Sequence, residues 1–500
     1  MTVEPTEVAV DSSLSKRAVS NTIAMLVSRV GIAAMGWLGT ILIARSLSSD
    51  DFGKFSFVFG VLGMMAVVTD LGVGRVVLAR LVGDDEDQIA RVAASFVWLR
   101  LALGLIGYAV ALAVVVVTGH DGDVIAATAI AGLVVVIATP SHALTVIFQS
   151  RLRLGLVAAG EVAAQGVQLL LTIAAVLFAP LLLVLVIPAI ANELVSLGVK
   201  ARALLRGADG PAPRGGIDGA LWREMLIEAV PLSIGLAFVE VTAKVDVLLL
   251  GRMDTFDAVG LYSIGFKFSD FIGVACVAVV TPFTTLLVAS WPGDHAGFRH
   301  AARRAAAIIS ALCAVGVAAL YPVADDLLRF LYGDRFAVAA QSTRLLVIAA
   351  SMGALAHLGI MILVAVGSHR VYPWLTLTSL CLNIGLNLWL IPRASYLGSS
   401  WAMVVSEAFL LVAVIVLVAV SLPVKRVLSA VHPLRATAVA ATVITFTMMT
   451  PGVEDSPWPV RAILGGAGTL VVLHLCGGTD GFSIRAQVGR LRDRRSMSEG

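Results

Sequence analysis

From about residue 20 to about residue 476 the sequence is a succession of apolar runs of near twenty residues, separated by short polar breaks. A helix of about 20 residues at about 1.5 Å per residue reaches the roughly 30 Å thickness of a bilayer core. Lipid offers a backbone no hydrogen-bond partners, so each run has to satisfy its own N–H and C=O groups as a helix. The runs fall near 20–44, 54–79, 92–117, 124–149, 155–178, 181–199, 222–251, 257–290, 304–324, 341–366, 372–391, 396–421, 433–450 and 460–476. With 59% hydrophobic residues, 14% charged and a mean hydropathy of +0.95, the composition lies outside the soluble range. The chain reads as an all-α polytopic membrane protein with about fourteen transmembrane helices. The break at Pro180 matters most, because the apolar run barely pauses there and merging it would reverse every later orientation.

Lys and Arg in short loops favour the cytoplasmic side, which tests the count of spans. With the N-terminus inside, 24 of the 36 Lys and Arg fall in inside segments and 8 outside. This threefold bias supports fourteen spans with both termini cytoplasmic. The acidic start MTVEPTEVAVDSS lacks the basic region and small-residue cleavage site of a secretory signal, so it is read as a cytoplasmic tail. The stretch 202–224, rich in Gly, Pro and charge, is the natural seam between two bundles. An internal repeat supports that seam. Arg45, Gly53 and Phe55 recur as Arg252, Gly260 and Tyr262 at an offset of 207 residues, each set closing the first span of its half and opening the second. Both copies fall outside, so the halves are parallel repeats related by an axis along the membrane normal.

Several chemistries are excluded or weakly supported. The net charge of +3 and the placing of basic residues at span ends give no nucleic-acid partner. Cys276, Cys313, Cys381 and Cys476 sit singly in apolar stretches, which suits packing rather than metal or disulfide frameworks. The histidines show no HExxH pair, Gly72 and Gly74 lack the third glycine of a dinucleotide loop, and no Walker motif is present. No metal, nucleotide or other cofactor is expected. An enzyme acting on membrane substrates would need acids or bases on a sizeable extramembrane domain, whereas the longest outside loops have about fifteen residues.

Residues 44–80, ARSLSSDDFGKFSFVFGVLGMMAVVTDLGVGRVVLAR, resemble the opening of the bacterial polysaccharide (O-antigen-type) flippase family of the multidrug/oligosaccharidyl-lipid/polysaccharide exporter superfamily. Residues 229–268, 331–346 and 397–409 resemble it further, in the family's order. The combination is more specific for the superfamily than for the polysaccharide branch over the lipid II flippase or drug antiporter branches. The resemblance implies two pseudo-symmetric six-helix lobes around a central cavity that moves by alternating access, with two C-terminal helices added. The expected organisation is a cytoplasmic tail at 1–19, lobes at 20–201 and 222–424, a cytoplasmic linker at 202–221, extra helices at 425–476 and a basic cytoplasmic tail at 477–500. The implied partners are a lipid-linked glycan substrate, membrane lipids and enzymes of cell-envelope glycan synthesis, and the implied location is the cytoplasmic membrane.

Charges within spans are costly and persist where they pair or line a polar cavity. Here they are Arg29, Asp70, Arg100, Glu161, Glu193, Glu240, Lys244, Asp246, Lys267, Asp270 and Glu407. Glu240 and Lys244 are four apart and share a helix face, as do Lys267 and Asp270, three apart, whereas Asp246 turns about 200° from Lys244 and is set aside. An anionic lipid-linked head group needs cations, so Arg29, Lys244 and Lys267 are expected to contact it, with Arg45 and Arg252 at the outer rim. Asp70, Glu240 and Asp270 are candidates for ion coupling or internal ion pairs. Equal depth of about 13 Å in adjacent helices predicts that Arg29 pairs with Asp70. The competing function is a cation-coupled drug or metabolite antiporter of the same superfold, with these three acids carrying ion and substrate.

Overall fold

The structure, a computed structural model, describes residues 12–81, 85–151, 153–206, 213–368, 371–422 and 431–476. The acidic start at 1–11, linker residues 207–212, Arg370, Lys425, Arg426 and the basic tail at 477–500 lie outside the described residues. The described chain is helical, with no strand among the described residues. Nine helical stretches among them are long and apolar enough to cross a membrane. The chain divides into two compact units, Met1–Glu240 and Val241–Gly500.

The first unit contains α1 (Ser12–Ser46), α2 (Ser49–Met64), α3 (Ala66–Asp70), α4 (Val73–Arg80), α5 (Glu86–Val117), α6 (Gly122–Ala131), α7 (Leu133–Ser150), α8 (Leu154–Phe178), α9 (Leu182–Leu185) and α10 (Ile187–Leu205). The long α11 (Gly219–Met253) carries the chain from the first unit into the second. The chain leaves the helix between Phe178 and Leu182, so the break at Pro180 is real. Proline has no amide hydrogen to continue a helix, and Ala179 leaves the helical region at φ −155°, ψ 75°. α8 packs on α1 and α10, and α7 packs on α5 and α10.

The second unit adds α12 (Phe256–Ser290), α13 (His295–Leu320), α14 (Ala324–Tyr332), α15 (Ala340–Ala365), α16 (Tyr372–Ser421), α17 (Val431–Met449) and α18 (Trp458–Leu475). α16 is two helices joined at Ser395, whose φ of 53° follows Pro392 and matches the sequence break between residues 391 and 396. α15 packs on α12 and α16, while α17 and α18 form a pair on α13.

Lipid is as apolar as leucine, so helices here gain little by hiding large side chains and associate through small ones that allow close approach. α13 meets its neighbours with Ala301, Ala302, Ala305 and Ala306, while Val117 and Phe178 at span ends stay more than four-fifths exposed. A Cβ on Gly104 of α5 would fall 2.2 Å from Thr139 Oγ1 of α7, and one on Gly465 of α18 would fall 2.0 Å from the Ala318 carbonyl of α13.

The repeat seen in the sequence is a repeat of structure. α1 ends at Ser46 and α2 begins at Ser49; α11 ends at Met253 and α12 begins at Phe256, all at the offset of 207. Ser48 caps α2 by accepting from the Asp51 amide, and its counterpart Thr255 caps α12 by accepting from the Ala258 amide. Arg45 and Arg252 each stand in the last turn before this shared corner, where a cation suits the helix dipole.

Candidate functional site

Each unit holds a polar interior, and the two are built differently. In the first, the second span breaks after Asp70 because Leu71 and Gly72 adopt left-handed conformations at φ 41° and 64°. This is the structural role of Gly72 in DLGVG. A helix end leaves carbonyls without intrahelical donors. Arg100 of α5, with a side chain 5% exposed, supplies them: its Nη1 donates to the Thr69 carbonyl at 2.6 Å and to Asp70 Oδ1 at 2.7 Å. Asp70 is therefore the partner of Arg100, and the expected Arg29–Asp70 pair does not form. Equal depth fixed only the height of the two residues, whereas α5 brings a guanidinium directly against the broken end. Arg29 lies exposed on α1.

Lys200, one of the 24 cations counted inside, lies within α10 just past the run at 181–199 and is 1% exposed. Its Nζ donates to Ser141 Oγ at 3.1 Å and stands 3.6 Å from Glu161 Oε1. Beside it the Asn192 amide donates to Gln165 and Gln168, tying α10 to α8. At the end of α4, Arg80 holds Glu224 at 3.1 Å and Glu228 at 2.7 Å on the first turns of α11. Burial alone would lower the Arg80 guanidinium, but the two carboxylates outweigh it and its pKa is raised.

The interior of the second unit centres on Asp246, which the sequence set aside. Its turn away from Lys244 points it inward, and the residue is 1% exposed. The Tyr262 hydroxyl donates to Oδ2 at 2.5 Å and the Asn387 amide to Oδ1 at 2.8 Å. The same amide reaches Asn383 Oδ1 at 3.1 Å, and the Ser399 hydroxyl donates to Asn387 Oδ1 at 2.5 Å. Three helices, α11, α12 and α16, thus meet through one hydrogen-bonded network around an acid that has no ion-pair partner among the described residues. Such a carboxylate is suited to hold a proton or a small cation. Asn383 and Asn387, four apart in an apolar run, were the sequence signal for it.

Of the expected cations, Lys244 sits half-buried with Nζ 5.6 Å from the Phe266 ring centroid, a cation–π contact. Lys267 is exposed on α12, as are Asp270 on α12 and Glu240 on α11. None of these four forms an ion pair within 4 Å among the described residues. Arg45 and Arg252 are exposed at the ends of α1 and α11. The lone cysteines are partly paired in space: Cys276 and Cys313 Sγ atoms lie 3.7 Å apart as free thiols in an apolar cluster. Among the described residues no group of three or more His, Cys, Asp or Glu is placed to hold a metal ion.

Residues 18–288 match the profile of the family described as polysaccharide biosynthesis protein, which is more than half of the chain. The chain belongs to the polysaccharide biosynthesis protein family. Its fold is shared with solved transporters. A structure described as "Lipid II flippase MurJ, inward closed conformation" superposes with a TM-score of 0.71 over 92% of this chain and 99% of its own, at 11% identity. An inward-facing multidrug resistance MATE family transporter of the MOP superfamily gives 0.64 over 82% and 96%, at 14% identity. A MOP superfamily transporter from Pyrococcus furiosus, noted for reverse polarity of its binding pocket, gives 0.56 over 80% and 95%, at 12%. No curated protein sequence matches the chain. This member of the polysaccharide biosynthesis protein family is a multi-pass membrane protein of two lobes, with the fold of a transporter.

Proposed function

We propose that the protein is a flippase that carries a polyprenyl-pyrophosphate-linked oligosaccharide, or a similar lipid-linked glycan, between leaflets of the cytoplasmic membrane by alternating access, with both termini in the cytoplasm. The observation that carries this reading is that Lys244 and Lys267, within spans of the second unit, have no acidic partner within 4 Å among the described residues. A cation in a span is costly unless something offsets it, and beyond the Phe266 ring over Lys244 an anionic ligand can supply that compensation. Lysine offers pyrophosphate a point charge, while Arg29 in the first unit, and Arg45 and Arg252 at the rim, offer a bidentate fork. Membership of a polysaccharide biosynthesis family agrees with a glycan cargo.

The test is reconstitution of the full chain with a fluorescent lipid-linked oligosaccharide, following the fraction that an added glycosidase can reach. Wild type should expose inner-leaflet substrate to the enzyme, and Lys244→Gln with Lys267→Gln should slow this at least tenfold, as the loss of one or two charge-assisted contacts implies. A protein that leaves the oligosaccharide in place but moves small organic cations is instead an antiporter. The burial of Asp246 without an ion-pair partner favours that second reading, in which Asp246, Glu240 and Asp270 would carry the cation.

A further inference from the structure

Two acids of the second unit differ in their surroundings: Asp246 is buried, whereas Glu407 is partly buried with one enclosed oxygen. Asp246 accepts a hydrogen bond on each carboxylate oxygen, from Tyr262 and Asn387. Donors aimed at both oxygens fit the anion. Glu407, in the second half of α16, has an enclosed Oε2 with no hydrogen-bond partner. Its carboxyl group lies over Gly353 of α15, where a Cβ would come within 2.8 Å of Oε2 and 3.1 Å of Cδ. Any larger residue at 353 would push it away, so the glycine makes the room the acid occupies. An ionised carboxylate would leave Oε2 with neither water nor a donor, whereas the neutral acid loses less there.

Asp246 on α11 is the other acid of this interior. On α15, His357 lies one turn beyond Gly353. On α12, which also packs against α16, Lys267 and Asp270 are the charged residues beyond Asp257 in its first turn. None of these is bonded to Glu407 among the described residues. An enclosed carboxyl oxygen that no donor reaches favours the protonated acid.

We propose that Glu407 is a proton-exchange site of the transport cycle, protonated in this conformation and releasing its proton to water when the second unit rearranges. The step breaks one O–H bond: the electron pair stays on the carboxylate, the proton leaves on water, and no redox partner is involved. The inference rests on the reading of the protein as a transporter and not on the identity of its cargo.

Infrared spectra of the purified full chain in lipid nanodiscs provide the direct test. At neutral pH wild type should show the carbonyl band of a protonated carboxylic acid that moves in heavy water. It should be missing from Glu407→Gln and present in Asp246→Asn. In proteoliposomes an imposed pH gradient should speed wild-type transport several-fold, leave Glu407→Gln unresponsive and give Glu407→Asp a partial response. A band that persists in Glu407→Gln, a full pH-gradient response in that variant, or a wild type driven by a sodium gradient alone would overturn the assignment. Because the band is read without substrate, a wild type that fails to move lipid-linked sugar sinks the flippase reading while the spectrum still judges Glu407.

Discussion

Replacing Arg100 by methionine asks whether the broken second span is held by a cap on its carbonyls or by the Arg100–Asp70 ion pair. Arg100 Nη1 serves both the Thr69 carbonyl and Asp70 Oδ1. Thr69 is 5% exposed, whereas the Asp70 side chain is 63% exposed. A hydrogen bond from a charged donor to a buried acceptor contributes about 1.5–3 kcal/mol, and much of that returns as a desolvation cost when the acceptor is orphaned. An exposed ion pair contributes only about 0–1 kcal/mol. Nε of Arg100 has no partner and adds nothing. Methionine keeps the apolar stem, so no large cavity enters the comparison. Arg100→Met should therefore destabilise the protein by about 2–4 kcal/mol, and Asp70→Asn by less than about 1 kcal/mol. Reversible unfolding in mixed micelles, followed by tryptophan fluorescence, measures both. Equal losses from the two variants would refute the cap and return the stabilisation to the ion pair.

Tyr262→Phe removes one donor from buried Asp246 and should cost about 1.5–3 kcal/mol in the same unfolding assay, more than Phe266→Leu one turn away, which loses the ring contacts to Lys244 and Tyr262 but no hydrogen bond. Gly465→Val puts side-chain atoms into the Ala318 backbone; it should detach α17 and α18 from α13, seen as faster proteolysis between Thr450 and Trp458. Arg45→Lys and Arg252→Lys retain a cation for the helix dipole but lose the fork, so expression and folding should stay near wild type while transport of lipid-linked sugar falls. Full transport by both would leave the arginines with a capping role alone.

The sequence by itself determined the solvent, the helices and their repeat. A run of twenty apolar residues in lipid has a single way to satisfy its backbone, so the helices follow from spacing and chemistry. The break at Pro180, where the apolar run barely pauses, was decided by the structure. The corner shared by Arg45 and Arg252 was legible because a capped turn needs a hydroxyl at one position, and Ser48 and Thr255 both supply it. What the sequence left open was the partner of each intramembrane charge. Depth along a helix can be counted from 1.5 Å per residue, but the neighbour that a face meets depends on how helices distant in sequence pack. Hence Asp70 found Arg100 thirty residues on instead of Arg29, and Lys200 proved to be interior. Asp246, turned from its neighbours on α11, met Asn387 from a helix 141 residues later. Only the tertiary structure decided these pairings, because an acid buried in lipid takes the nearest donor in space, and that distance is set by packing between helices rather than by order along the chain.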